Sequence, residues 1–493
     1  MIQASRAMLA RTQTYAIHLR KIHEASNGQG ASRSMLRVIN PANEQLVAEV
    51  SSHTPSEVQA AVAKASAAQR EWGALSNLPT RQAALMKFAE LLRQEMPELS
   101  KLLTSEMGKP VKQASGEIAA SLARVRYLAE NAGKVLEPHT MAQTKSLEER
   151  VEYEPLGVVA NISAWNYPYF VATNVFAAAI ATGNAVVYKP SELTPLTGAA
   201  ITRLLHAAGV PEETFALVQG GADVGASLSE NPQLDGVFFT GSNSTGRAIA
   251  RAAAPNMCRI QLELGGKDPV YVRRDVDVSK VAAAVADGAF YNNGQSCCSV
   301  ERIYVDKEVA NEFIEAFIET VRGFKQGCPT DPSTFLGPLA RKAALAHLDK
   351  QVGDAIYKGA KPAYGKSDTS LPTVGYFYPP TVLLGVDHSM KIMQEESFGP
   401  VIGIQIVGGD EEALALMNDT SYGLTASVYT NDEQIALRFL RSLNTGTGYW
   451  NCCDRVSPRL PWSGRRGSGV GSTLSIEGLR AFVRPKALHL QRS

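Results

Sequence analysis

Short apolar runs alternate with helical stretches from Gly157 to Ala254, and this alternation constrains the fold more than any other feature. Four apolar runs, each followed by a helical stretch, recur roughly every 25 residues, at 157–162, 185–188, 215–218 and 236–240. Repeating strand–helix units predict a parallel sheet with helices on both faces, and a crevice for a nucleotide at the carboxyl ends of the strands. A second alternation, from about Pro269 to residue 450, predicts a second α/β lobe.

Three helices are predicted ahead of the first lobe. Residues 56–72 have apolar positions at helical spacing with Ser56 as the N-cap, and residues 80–103 and 114–132 are also helical in pattern. Two charged segments, 147–153 and 481–490, fit neither lobe. We expect both to be exposed strands that await a partner edge.

Charge and cysteine content exclude several classes of protein. A net charge of +1 gives no reason to expect nucleic acid or an anionic membrane surface as a partner. Six cysteines in 493 residues do not form a secreted disulfide framework, and no spacing of Cys and His predicts a metal. The uncharged stretch 157–188 contains Asn161, Asn166 and Asn174, whose amides would be unpaired in lipid. We therefore interpret it as buried strand, loop and helix, not as a membrane span.

The N-terminal segment has the composition of a targeting sequence. It contains Arg6, Arg11, Arg20 and Lys21, with no acidic residue before Glu24 and no long apolar run. This pattern predicts a mitochondrial transit peptide, and residues 1–34 are left out of the folded domains. A disordered basic tail on a cytoplasmic protein is the alternative.

A cysteine and a glutamate lie in two glycine-containing runs. Cys297 belongs to Asn-Gly-Gln-Ser-Cys-Cys at 293–298, and Glu263 opens Glu-Leu-Gly-Gly-Lys at 263–267. A single cysteine is more often a small buried hydrophobe than a nucleophile. A thiol together with a carboxylate, each beside glycines that let backbone approach, predicts covalent catalysis followed by hydrolysis.

Two strand ends have residues suited to a dinucleotide. Gly241, Ser242 and Gly246 follow a strand and open a helix, where glycines and free N–H groups can hold a phosphate. Lys189 and Glu192 follow the preceding 185–188 strand, where the carboxylate can accept from ribose hydroxyls. Because that carboxylate repels a 2′-phosphate, NAD is favoured over NADP. Each motif alone is also typical of an ordinary turn.

Two further elements complete the pattern. Asn166, in Ala-Trp-Asn-Tyr-Pro at 164–168, has a side-chain amide suited to an oxyanion hole. Glu396 and Phe398 lie in Glu-Glu-Ser-Phe-Gly-Pro at 395–400, where the ring could pack on a flat group and the carboxylate could bind a ribose. A charged helix end before a Gly-Pro turn is the alternative for this run.

These motifs, in this order, resemble those of the aldehyde dehydrogenase superfamily from about residue 36 to the C-terminus. The runs at 263–267 and 294–297 are similar to its two active-site signatures, and 461–469 is similar to its Pro-Phe-Gly-Gly-x-Lys-x-Ser-Gly segment. The resemblance implies an α/β fold with a Rossmann-like cofactor lobe, a second α/β catalytic lobe and a small β oligomerisation arm of a homodimer or homotetramer. The implied domains are NAD-binding 35–143 and 155–262, catalytic 263–474, and arm 144–154 and 475–493.

The resemblance also implies a reaction and roles for single residues. An aldehyde is oxidised by NAD to a carboxylic acid through a cysteine thiohemiacetal and thioester, which is then hydrolysed. Cys297 matches the nucleophile, Glu263 the general base and Asn166 the oxyanion donor. Val175 stands where many members have a lysine, which puts a proton relay through that position in doubt. The positions that match the cofactor site are Lys189, Glu192, Ser242, Gly246, Glu396 and Phe398.

The resemblance implies a small-molecule aldehyde as the substrate and leaves its side chain open. Alignment with the family places Tyr167, Tyr291 and Trp462 at the aldehyde entrance. The three rings either line an apolar tunnel, which we prefer, or enclose a trimethylammonium group such as that of betaine aldehyde by cation–π contact. No arginine stands where it would clearly bind a substrate carboxylate, which disfavours succinate semialdehyde.

Two other functions remain as alternatives. A CoA-acylating relative would pass the acyl group to CoA, but that reaction needs no hydrolytic base such as Glu263. A scaffold kept for a structural role would not need Cys297, Glu263 and Asn166 together.

Overall fold

The computed structural model describes residues 34–365 and 370–492. The predicted targeting segment lies outside them, apart from Ser34. The helices are α1 (Pro55–Trp72), α2 (Leu78–Met107), α3 (Val111–Leu136), α4 (Pro168–Ala181), α5 (Pro195–Ala207), α6 (Ala222–Ser229), α7 (Asn243–Ala253), α8 (Val278–Phe290), α9 (Ala310–Arg322), α10 (Ala343–Tyr357), α11 (Lys391–Gln394), α12 (Asp410–Asn418), α13 (Glu433–Ser442) and α14 (Ser475–Arg480). The strands are β1 (Met35–Ile39), β2 (Leu46–Ser51), β3 (His139–Gln143), β4 (Leu147–Pro155), β5 (Val158–Ile162), β6 (Ala185–Lys189), β7 (Phe215–Leu217), β8 (Gly236–Thr240), β9 (Arg259–Glu263), β10 (Asp268–Val272), β11 (Val300–Asp306), β12 (Lys361–Tyr364), β13 (Thr381–Leu384), β14 (Val401–Val407), β15 (Thr425–Tyr429), β16 (Thr447–Trp450), β17 (Gly469–Val470) and β18 (Val483–Gln491).

The first lobe is the parallel sheet that the strand–helix alternation predicts. Its order is β17-β9-β8-β5-β6-β7, parallel except for β17, which pairs antiparallel with β9. From β5 the sheet grows outward in both directions, through β6 and β7 on one side and through β8 and β9 on the other. Connections therefore leave in opposite directions at β5 and β8, which opens a crevice at their carboxyl ends. The predicted α/β class is confirmed.

The second lobe is a seven-stranded sheet of order β12-β13-β14-β11-β10-β15-β16, parallel except for its edge strand β12. Strand β9 of the first sheet is followed after four residues by β10 of the second. The junction of the two sheets is thus formed by the run 263–267.

The two charged segments that fit neither lobe, 147–153 and 481–490, form strands that pair with each other. They are β4 and β18, in antiparallel register from Val483 opposite Pro155 to Gln491 opposite Leu147. Strand β3 completes this three-stranded sheet, which therefore starts at His139 and not at the predicted residue 144. Strand β17 also departs from the predicted boundaries, since Gly469 lies in the predicted catalytic range but pairs in the first sheet.

Helix α1 begins two residues earlier than predicted. Its N-cap is Thr54, because Thr54 Oγ1 accepts from the Glu57 backbone N–H while Glu57 Oε2 accepts from the Thr54 backbone N–H. This reciprocal capping box satisfies two N–H groups, which Ser56, placed inside the helix, cannot do. The predicted helices at 80–103 and 114–132 are likewise longer in the structure, where they are α2 and α3 and pack against each other.

The uncharged stretch 157–188 is buried between sheet and helices. Every residue of β5 and all but Phe170 and Val171 of α4 are buried. The amides of Asn161, Asn166 and Asn184 donate hydrogen bonds within the protein, as where Asn161 Nδ2 donates to the Ala172 carbonyl oxygen at 3.1 Å. Across residues 34–365 and 370–492, no helix is both long and apolar enough to cross a membrane.

Candidate active site

The Cys297 loop joins α8 to β11 through a tight left-handed turn. Asn292, Asn293 and Gly294 have φ angles of 53°, 58° and 67°. Asparagine tolerates this region better than most residues, and a β-carbon on Gly294 would lie 2.4 Å from the Gly399 carbonyl oxygen. The turn therefore fixes the thiol beside the loop that contains Gly399.

The two adjacent thiols differ in accessibility. Cys297 is half-buried, whereas Cys298 is buried and its Sγ donates to Asp454 Oδ1 at 2.9 Å. A hydrogen bond with Cys297, burial and the Asp454 carboxylate together raise the pKa of Cys298 well above its usual value. Cys298 thus stays protonated, and Cys297 is the thiol that a ligand can reach.

Asn166 follows β5 and contacts the Cys297 loop. Its Nδ2 donates to the Gln295 carbonyl oxygen at 3.2 Å, and Asn292 Nδ2 donates to the same oxygen at 3.0 Å. The side-chain amide has two N–H groups, so the second one can donate to an oxyanion formed at Cys297.

Glu263 ends β9 and is buried near the same thiol. Its Oε1 accepts from Gln261 Nε2 at 2.8 Å, whereas no described residue pairs with its Oε2. Burial, with a smaller contribution from Cys297, raises the pKa of Glu263 well above 4.5. A carboxyl in this setting can act as a base once the pH is high enough to ionise it.

The glycine pair at the sheet junction lets three loops meet. A β-carbon on Gly265 would lie 2.1 Å from Glu396 Oε1, and one on Gly266 would lie 2.8 Å from the Cys297 carbonyl oxygen. The Gly266 backbone N–H also donates to Glu396 Oε1 at 3.1 Å. Any side chain at either position would push these loops apart.

A buried ion pair joins the Glu263 and Cys297 segments. Lys267 Nζ lies 2.6 Å from Glu301 Oε2, with side chains 0% and 5% exposed. Lys267 Nζ also donates to Ser397 Oγ at 2.9 Å, and Glu301 Oε2 accepts from the Ser397 backbone N–H at 2.9 Å. Because Lys267 lies four residues after Glu263 and Glu301 four after Cys297, the pair sets the distance between the two chemical groups.

A second buried pair, between Lys109 and Glu117, holds the Asn166 loop. Lys109 Nζ donates to the Asn166 carbonyl oxygen at 2.6 Å, and Glu117 Oε1 accepts from the backbone N–H groups of Tyr169 and Phe170 at 2.8 and 3.3 Å. These N–H groups are among those left unpaired at the start of α4, so the carboxylate caps that helix. The pair fixes Asn166 and the start of α4 relative to α3.

Three of the predicted cofactor residues lie where β8 ends and α7 begins. Ser242 is the N-cap of α7, and its Oγ accepts from the Thr245 backbone N–H at 3.4 Å. A β-carbon on Gly246 would lie 2.5 Å from Leu264 Cδ2. Gly246 therefore serves the close packing of α7 on the sheet, while Gly241 and Ser242 lie nearer the free N–H groups at the helix start.

Lys189 and Glu192 lie at the neighbouring end of β6. Lys189 is buried and its Nζ donates to the Pro190 carbonyl oxygen at 3.3 Å; burial lowers the pKa of this lysine, against the effects of Glu192 and Asp223. Glu192 is exposed. A lysine, free helix N–H groups and an exposed carboxylate at adjacent strand ends fit NAD, whose phosphates need donors and whose ribose hydroxyls need an acceptor.

Glu396 contacts the glycine pair at 265–266, and Phe398 packs against Trp165. The Phe398 and Trp165 rings meet edge to face, with centroids 5.5 Å apart. Phe398 has a φ of 53°, which is strained for a bulky residue and is typical of functional loops. Burial and then Glu301 raise the pKa of Glu396 to about 8.

The three predicted substrate residues lie on three separate segments of the chain. Tyr167 directly follows Asn166, Tyr291 starts the turn before Cys297, and Trp462 is buried in the core cluster against which Cys297 packs. Lys109 Nζ lies 3.7 Å from the Tyr167 ring centroid. One face of this ring is therefore already in contact with a cation.

Sequence reasoning missed a charged residue of this region, Arg124. It lies on α3, is 3% exposed, and its guanidinium carbon is 3.5 Å from the Phe170 ring centroid. The sequence did contain a signal, because Arg124 lies three residues after Ser121 and four before Leu128, both fully buried. A charge on the buried face of an amphipathic helix needs a reason.

Comparison with known proteins gives consistent matches along nearly the whole chain. The model of the aldehyde dehydrogenase family matches residues 28–488. A succinate-semialdehyde dehydrogenase (NADP⁺) from Deinococcus radiodurans is 36% identical over 450 residues, which cover 91% of this chain and 93% of that protein. The crystal structure of lactaldehyde dehydrogenase from Escherichia coli superposes with a TM-score of 0.90 at 33% identity, over 94% of this chain and 97% of that one. Betaine aldehyde dehydrogenase from Staphylococcus aureus, in complex with NAD⁺, has a TM-score of 0.88 at 31% identity, over 94% and 93%.

We predict that Lys267→Met lowers the free energy of unfolding by about 3–5 kcal/mol, because it leaves Glu301 as an uncompensated buried charge. Urea unfolding followed by fluorescence measures this. Lys101→Met is the matched control, since it removes an exposed lysine whose partner Glu98 is also exposed, and it should leave stability unchanged. Equal stability of Lys267→Met and wild type would contradict the anchoring role.

Proposed function

The chain belongs to the aldehyde dehydrogenase family, and on that premise we propose that Cys297, Asn166 and Glu263 carry out its NAD-dependent oxidation of an aldehyde to a carboxylic acid. One observation supports this assignment above the others. An accessible thiol, a side-chain amide with a spare N–H and a buried carboxyl come from three different elements and converge at the junction of the two sheets.

The first step is attack by the thiolate. Cys297 Sγ bonds to the carbonyl carbon, and the π electrons move onto the carbonyl oxygen. The Asn166 amide and the Cys297 backbone N–H donate to that oxyanion in the thiohemiacetal. Because both donors are held in place beforehand, they stabilise the charge without reorganising.

The second step leaves an acyl group on the enzyme. NAD⁺, when bound, supplies the acceptor for the hydride. As the tetrahedral carbon loses hydride, the carbon–oxygen double bond re-forms and Cys297 holds a thioester. The residues that would hold the cofactor are Lys189, Glu192, Gly241, Ser242, Gly246, Glu396 and Phe398.

The third step is hydrolysis. Glu263 takes a proton from a water molecule, whose oxygen bonds to the thioester carbon; the Cys297 sulfur then leaves with its electron pair and the acid is released. Val175, where many relatives have lysine, is a buried apolar residue of α4 and takes no part in proton transfer. A buried carboxyl near the thiol supports water as the acyl acceptor over CoA.

A trimethylammonium aldehyde is disfavoured as the substrate. The cationic Lys109 already occupies one face of Tyr167, and Arg124 adds a second buried cation beside Phe170. A cationic substrate would be repelled by Arg124, whereas Glu117 compensates the charge of Lys109. A purely structural use of the scaffold is disfavoured because the three reacting groups are all in place.

Assembly and location belong to the same proposal. The first sheet would bind the cofactor and the second would carry Cys297, while the sheet of β3, β4 and β18 would be the oligomerisation arm of a homodimer or homotetramer. All five residues of β3 are exposed, as expected for an edge that a partner covers. Mitochondrial import would be directed by residues 1–34.

We predict that Cys297→Ser abolishes NADH formation from NAD⁺ and an aldehyde, because the hydroxyl has no comparable nucleophilic form at neutral pH. Cys298→Ala is the matched control and should retain turnover within a few-fold. Absorbance at 340 nm measures both reactions. Loss of activity in Cys298→Ala with retention in Cys297→Ser would reverse the assignment.

We predict that Glu263→Gln still gives a first burst of NADH but slows steady-state turnover, since only deacylation needs the base. In wild type, steady-state turnover should rise with pH through the raised pKa of Glu263, because the carboxyl is neutral below it and a base above it. The glutamine variant should lack this rise. Stopped-flow bursts and pH profiles measure the effects, and an equal fall in burst and steady state argues against a deacylation base.

We predict that Glu192→Gln raises kcat/KM for NADP relative to NAD at least tenfold, about 1.4 kcal/mol, because the exposed carboxylate no longer repels a 2′-phosphate. Glu213→Gln removes an exposed carboxylate near the opposite end of the sheet and should not change the ratio. Initial rates with each cofactor test this. An unchanged ratio in Glu192→Gln would place the selecting group elsewhere.

A further inference from the structure

Arg124 is a buried cation without a countercharge of its own. It is 3% exposed, and its Nη1 has no hydrogen-bond partner among residues 34–365 and 370–492. Its guanidinium carbon lies 3.5 Å from the centroid of the Phe170 ring. Leaving a buried guanidinium unpaired is costly, so such a group is typical of a site that an anion completes.

The acidic groups nearby are already engaged. Glu117 accepts from Lys109 and from two backbone N–H groups at the start of α4. Asp454 accepts from the Cys298 thiol at 2.9 Å and from Ser296 Oγ at 3.5 Å. Lys109 and Glu117 pair with each other, and within the described residues no carboxylate forms an ion pair with Arg124.

Arg124 also lies close to the reacting thiol. Burial lowers the pKa of Arg124 to about 10, while Glu117, Cys298 and Cys297 act in the opposite direction. The guanidinium is therefore charged at neutral pH and within electrostatic range of Cys297. Phe170, on which it packs, lies four residues after Asn166, so the oxyanion loop and the Arg124 contact belong to one short segment.

The facing surface of α4 has a second unsatisfied polar group. Asn174 lies one turn after Phe170 on the same face of the helix, is buried, and no described residue pairs with its Oδ1. Two unpaired buried polar atoms thus lie on adjoining helices, and each needs a physical explanation.

We propose that Arg124 binds the carboxylate of the substrate, so that the preferred substrates are short aldehydes with a carboxylate a few carbons from the carbonyl. The inference rests on the proposed function, since it places the aldehyde carbon at Cys297. A planar guanidinium stacked on a fixed ring presents its N–H groups as a fork that matches a carboxylate. This reverses the expectation, drawn from the sequence, that no arginine would serve a carboxylate substrate.

The test compares succinate semialdehyde with pentanal, a neutral aldehyde of similar length. In Arg124→Gln, kcat/KM for succinate semialdehyde should fall about 100-fold, as expected for hydrogen bonds to a charged group, while pentanal stays within about threefold. Arg126→Gln is the matched control, because it removes the same charge from the exposed face of α3 and should change neither value. An unchanged ratio of the two kcat/KM values in Arg124→Gln overturns the proposal.

A binding measurement separates this inference from the proposed function. Butanoate, but not butanamide, should slow alkylation of Cys297 by iodoacetamide in wild type, and should have no such effect in Arg124→Gln. If wild type oxidises neither aldehyde yet shows this protection, the proposed function fails and the anion site stands. If both aldehydes are oxidised and butanoate protects wild type and variant alike, the anion site fails and the proposed function stands.

The melting temperature of Arg124→Gln gives a further test. Removing an unpaired buried charge should leave the melting temperature unchanged or raise it, whereas a structural role for Arg124 predicts a fall. If Arg124→Gln does not fold, Arg124→Lys is measured instead, since it loses the fork. It should lower the succinate semialdehyde value at least tenfold with pentanal unchanged, and an unchanged ratio overturns the proposal.

Discussion

Two lysine–glutamate pairs, both withdrawn from water, hold the loops on which the chemistry depends. Lys267 with Glu301 joins the end of β9 to β11, and Lys109 with Glu117 joins α3 to the Asn166 loop. Each ion is stable in the interior only while its partner is in place, because an unpaired buried charge costs several kcal/mol. The two ion pairs therefore fix the loops between them, because separating either pair costs several kcal/mol.

The balance of charge in this interior explains what the site can bind. Both anchoring pairs are neutral overall, so they add no net charge to the space around Cys297. Arg124, by contrast, packs on the Phe170 ring and forms no ion pair with a carboxylate among the described residues. The proposed anion site would therefore link substrate choice to the same helix, α3, that anchors Asn166.

Much of the fold and part of the site could be read from the chain. Strand–helix alternation predicts the two parallel sheets, because period and length are local properties. The N-cap of α1 was placed at Ser56 and not Thr54, because a capping box depends on the direction in which the Glu57 side chain turns back. The sequence places Gly246 at the cofactor site, whereas its close approach to Leu264 depends on how the helix and the sheet meet.

The sequence by itself determined the class of fold and the family, and it predicts the set of reactive side chains, because each depends on residue types at fixed spacing. Only the tertiary structure decided which of two adjacent thiols is accessible, since burial and Asp454 keep Cys298 protonated. It alone also decided that Arg124 lies near Cys297 with no ion-pair partner among the described residues. The physical reason is that exposure, pairing and pKa depend on what neighbouring elements bring to a residue, and those neighbours lie far away along the chain.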